Sequence, residues 1–79
     1  MVKVTKISFE MLKIAERLKF ENPKFSDIID RMTIIAQEIV DSKDPFELMN
    51  VILPKLDAMD AFALGMIHAE MMRDGIWRL

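Results

Sequence analysis

The chain has 79 residues, 52% of them hydrophobic and 30% charged, with a formal net charge of −2. At that length one domain spanning 1–79 is expected and a second independently folded unit is excluded, while the slight negative charge gives no global attraction toward nucleic acid. Cysteine is absent and His68 is the single histidine, so a disulfide framework and a zinc site of cysteine and histidine ligands are both excluded.

Three prolines punctuate the chain, and proline is tolerated at the start of a helix but not in its interior. The spacing therefore predicts an all-α bundle of four helices over about 8–21, 23–41, 45–53 and 54–73, the third short. Residues 1–7 alternate Val2 and Val4 with Lys3 and Thr5, a pattern a short strand can also give. The first helix is capped by Ser8 and carries Ile7, Met11, Ile14 and Leu18 in one stripe. Phe9, Leu12 and Phe20 fall on a separate side at 100° per residue, so this helix has two apolar faces.

Asn22 before Pro23 is expected to cap the second helix. There Phe25, Ile28, Ile29, Met32, Ile35, Ala36, Ile39 and Val40 point one way. Asp27, Asp30, Arg31, Gln37, Glu38 and Asp41 point the other, with Asp27 and Arg31 spaced for a surface pair. Ile34 alone breaks the pattern. Asp44 before Pro45, with Glu47 three residues on, has the form of a capping box for the third helix. Phe46, Leu48, Met49, Val51, Ile52 and Leu53 cover most of that helix's circumference, so it is expected to be largely buried. Leu53 offers Pro54 no capping side chain. A new helix is nevertheless expected from Pro54 or Asp57, with Asp57 and Asp60 near its positive end. It closes at Asp74 and Gly75, where glycine can take the left-handed conformation.

The fourth helix carries the least ordinary pattern. Ala61, Gly65 and Ala69 recur every four residues, with Ala58 and Met72 on the same side, leaving a flat strip that another helix can approach closely. Apolar residues fill most of the remaining circumference, which places this helix in the middle of something. The strip either seats a helix of the same chain or lies between subunits. Trp77, beyond the glycine stop, either lids the core or anchors an interface. Methionine is abundant in this helix (Met59, Met66, Met71, Met72) and serves to fill gaps in cores as well as to adapt surfaces.

Chemistry-bearing constellations are sparse. His68 and Glu70 are two apart and lie on different sides of their helix. Position 65 is glycine, so the glutamate that di-metal carboxylate bundles place three before a histidine is missing. Glu38 with Asp41 and Asp57 with Asp60 are carboxylates three apart, a spacing that helical magnesium-dependent pyrophosphohydrolases use and that thirteen acids also produce by chance. No catalytic residue, cofactor or metal ligand is assigned. The Ser42–Lys43–Asp44 connection suits a helix-turn-helix, yet residues 45–53 hold no lysine or arginine to contact bases or phosphates. Residues 1–24 carry six basic and three acidic side chains and residues 25–79 five and ten. Oppositely biased helices packed side by side account for this, as does a basic surface for an acidic partner.

The hydrophobic share exceeds the roughly 45–50% that ordinary globular proteins reach with glycine included. A chain of this size hides little more than about 60% of the surface its unfolded form exposes. No apolar run nears the ~18–20 residues of a membrane span, and no signal-peptide apolar region follows Lys3 and Lys6. The expectation is a cytoplasmic helical bundle completed by homodimerisation and serving protein interaction or assembly, another protein being a further partner and a membrane none. Its interface residues are Phe9, Leu12, Phe20, Ala61, Gly65, Ala69, Met72 and Trp77. A nucleic-acid-binding regulator and a small enzyme using helix-borne carboxylates are the alternatives.

Overall fold

The computed structural model describes residues 7–77; the alternation over 1–6 and the tail at 78–79 lie outside the described residues. Four helices are present and no strand occurs among the described residues: α1 (Phe9–Glu21), α2 (Ser26–Asp41), α3 (Pro45–Ile52) and α4 (Ala58–Arg73). Short 3-10 turns at Pro23–Phe25 and Leu53–Lys55 lead out of α1 and α3.

The helix ends follow from side chains that satisfy free backbone groups. Ser8 Oγ accepts the Met11 N–H at 3.3 Å, Asp44 accepts that of Glu47 at 3.1 Å, and Asp57 accepts that of Asp60 at 2.8 Å. At the other end of α4, Gly75 takes φ +74°. The Gly75 N–H donates to the Met72 carbonyl and the Ile76 N–H to that of Met71, a Schellman closure that folds Ile76 back onto the core.

One helix start differs from expectation, and another follows the later of the two starts expected for it. Asn22 does not cap α2: its amide Nδ2 donates backward to the Leu18 carbonyl at 3.0 Å, closing α1, and Pro23 opens a 3-10 turn before α2 begins at Ser26. Pro54 does not open α4 either. Proline fixes φ without selecting between the 3-10 and α forms; Pro54 sits in the tighter turn, Leu56 is extended, and the α4 cap is Asp57.

The core is built from one face each of α1, α2 and α4: Met11, Ile14, Ala15 and Leu18; Ile29, Met32, Ala36 and Ile39; and Ala63, Leu64, Ile67 and Met71. The most extensive packing is α2 against α4, with α1 laid across both. The Cα radius of gyration, 12.0 Å, is close to the roughly 11.6 Å of a compact chain this long. Two polar residues enter the core. Thr33 is satisfied by donating to the Ile29 carbonyl at 2.6 Å. Gln37, expected on the polar side of α2, is buried; its Oε1 accepts the Ser8 N–H at 2.9 Å and its Nε2 donates to Asp41, tying the start of α1 to the end of α2.

The third helix contradicts the expectation of burial. No α3 residue is fully buried; Leu48, Met49 and Ile52 are half-buried on the core, whereas Phe46 and Val51 face outward. A short helix docked on α2 has only one neighbour to cover it, so its other sides stay wet however apolar they are.

Candidate functional site

The outer side of α4 is an apolar surface among the described residues. Ala63, Leu64, Ile67 and Met71 turn inward, and the 100° step then sends Ala58, Ala61, Phe62, Gly65, Ala69 and Met72 outward, all of them exposed. The small-residue strip therefore seats no helix among the described residues. At Gly65 nothing among the described residues lies within 4 Å of the position a Cβ would take.

Two hollows flank this strip. Between α4 and the start of α2, a groove of about 240 Å³ is lined by Phe25, Ile28, Met59, Phe62 and Met66, with Asn22 as its polar member. Between α4 and α1, a second hollow of about 310 Å³ is lined by Leu18, Met66, Ala69, Glu70 and Arg73. Met66 is the wall between them.

Phe9, Leu12 and Phe20 point outward from α1, Phe20 with 89% of its surface exposed. They form a separate surface, because Leu18 and Asn22 face α4 while Phe20 lies about 200° round the helix. Trp77 stands apart from both: it is half-buried against the core and meets His68 with ring centroids 4.6 Å apart at 49°, the position of a lid. Phe62, Met59, Phe25 and Leu18 were not assigned to an interface from the sequence, although a phenylalanine three residues before the glycine of a small-residue strip was there to be noticed.

Charges ring these surfaces. Arg17 on α1 pairs with Asp74 and Glu70, each at 3.3 Å, and Glu70 also holds Arg73. Lys19 pairs with Asp30 at 2.9 Å and with Glu16. Both cations bind their protons more tightly than usual, Arg17 chiefly through its hydrogen bond with Asp74 and Lys19 through Asp30. Part of the basic bias of the N-terminal third is thus matched by acids of α2 and α4. Arg31 turns to Asp60 at 3.1 Å, in place of the expected pair with Asp27. Lys13 lies over the Phe9 ring, 5.1 Å from its centroid.

The candidate chemical groups are engaged in holding the fold. Asp57 caps α4, Asp60 pairs with Arg31, and Asp41 accepts from Gln37. Among the described residues no three His, Cys, Asp or Glu side chains come together as a metal site. His68 is partly buried, its Nε2 has no hydrogen-bond partner among the described residues, and burial lowers its pKa. The residues α3 turns to solvent include Phe46, Glu47, Asn50 and Val51, none a cationic donor for nucleic acid. No helix among the described residues is long and apolar enough to cross a membrane. Comparison of the chain with protein-family models, with curated proteins and with solved structures finds no match in any of the three.

Proposed function

We propose that this chain is a small helical protein-interaction module that acts as a homo-oligomer, with a dimer as the simplest form. One observation carries the reading: all five phenylalanines, Phe9, Phe20, Phe25, Phe46 and Phe62, lie outside the core and are at least 42% exposed. Methionine, isoleucine, leucine and alanine fill the interior. Phenylalanine is among the side chains that gain most from leaving water, so a lone folded copy forgoes the burial its largest apolar residues could give. Contiguous apolar patches beyond a few hundred Å² are uncommon on monomers and mark interaction surfaces. The apolar groove beside α4 and the open strip along it supply such a surface in one place.

Sedimentation equilibrium of the full chain tests this directly. The expected mass at tens of micromolar is a multiple of the 9.2 kDa chain; a single species at the monomer mass throughout that range rejects the proposal.

A further inference from the structure

We infer that a second copy of this chain covers the outer face of α4, in an antiparallel, two-fold pairing that crosses at Gly65 and seats Phe62 of each copy in the Leu18–Met66–Ala69 hollow of the other. The inference rests on the self-association proposed above and names its geometry.

Three features of α4 lead to it. First, the face is open where two helices would touch most closely, since Gly65 has nothing among the described residues within 4 Å of its missing Cβ and Ala61 and Ala69 flank it one turn either side. Second, the protrusion and the recess have the right register. A two-fold axis through the crossing brings the same flank of both helices together. At 1.5 Å per residue, a side chain three positions before Gly65 then lies beside those one and four positions after it on the other copy. Phe62, 68% exposed, accordingly meets Met66 and Ala69 of the partner subunit, two of the residues lining the hollow against α1, whose other walls are Leu18 and the ion-paired Glu70 and Arg73. The contact occurs twice, as an isologous interface requires.

Third, the area suffices. Phe62, Met59 and Met72 are 68%, 47% and 45% exposed, and with the small residues between them they present roughly 500 Å² per copy when all of it is covered, taking about 200 Å² for a whole large side chain. Two copies together reach roughly 1,000 Å², the least that a specific interface needs. The α1 surface of Phe9, Leu12 and Phe20 lines neither of these two hollows.

Three variants of the cysteine-free chain test the pairing, each at a position exposed in its own copy. Phe62→Glu is expected to raise the dimer dissociation constant at least about thirtyfold, as loss of a central aromatic anchor does, with native helicity retained by circular dichroism. Gly65→Cys is expected to give a disulfide-linked dimer on mild oxidation, because the axis brings the two positions within the Cα separation a disulfide spans. A dimer that survives Phe62→Glu, that Gly65→Cys fails to link and that Phe20→Glu dissociates would overturn this pairing while leaving self-association standing. A native chain that stays monomeric overturns both.

Discussion

Replacing Gly65 by alanine should stabilise the folded chain. Gly65 lies well inside α4, where glycine costs roughly 0.8–1.0 kcal/mol relative to alanine, mainly through the backbone freedom it gives the unfolded chain. No steric cost offsets that gain, because the added methyl meets nothing within 4 Å among the described residues. For a domain of this size each kcal/mol moves the melting temperature by about 4–8 °C, so Gly65→Ala should melt roughly 3–8 °C above the native chain in dilute solution. Urea melts followed by circular dichroism should show a higher midpoint with an unchanged slope. Repeating the melts across about two decades of concentration separates the effects, because association makes stability concentration-dependent. The native chain should gain from concentration, and the variant should gain less, its methyl standing at the crossing point. A variant that melts at or below the native temperature at the dilute end would refute the open environment assigned to Gly65.

Three further outcomes are expected. Ile67, fully enclosed at the centre of the α4 inner face, should lose about 2–5 kcal/mol as Ile67→Ala in urea melts; a loss below ~1 kcal/mol would mean that this face is not packed as described. Asp57→Ala removes the α4 cap and should cost about 1 kcal/mol, most of it restored by Asp57→Asn, since either oxygen can accept the Asp60 N–H. Acid should weaken the fold through His68. Burial holds its folded pKa below 6.5, so the unfolded chain takes up the proton more readily. The contribution is complete above about pH 6.5 and lost as pH falls from there through the lower folded value. Urea melts at several pH values, read by the emission of Trp77 against the His68 ring, should show this slope in the native chain and not in His68→Phe. Equal slopes in the two proteins would assign the acid sensitivity elsewhere.

Most of the helical framework was legible in the sequence, because its signals are local. Ser8, Asp44 and Asp57 each accept a backbone N–H three residues on, and Gly75 takes the conformation that glycine alone adopts freely. The Met11–Ile14–Leu18 stripe and the apolar side of α2 follow from a period of 3.6. What failed depends on tertiary surroundings. Asn22 has an amide that can bond backward as well as forward, and the Leu18 carbonyl takes it. Gln37 reads as polar surface from its neighbours in sequence, yet it is buried because an N–H 29 positions away, on Ser8, needs its oxygen. For α3 the apolar circumference was plain, but burial requires a partner surface and α2 provides only one. The same limit governs the candidate site: α4 is apolar on both sides, and periodicity alone does not say which side meets α1 and α2 and which is left outward.

The shallow docking of α3 has a consequence for how the chain comes apart. Releasing this helix gives up the half-buried contacts of Leu48, Met49 and Ile52 with the core, and no residue of α3 is itself fully enclosed, so its detachment requires less free energy than global unfolding. Hydrogen exchange should accordingly sort the amides into two tiers, with those of α3 trading protons early and those of α1, α2 and α4 holding until the whole chain opens. Any assembly that engages α3 would draw on that small reserve, and one that engages α4 would leave it untouched.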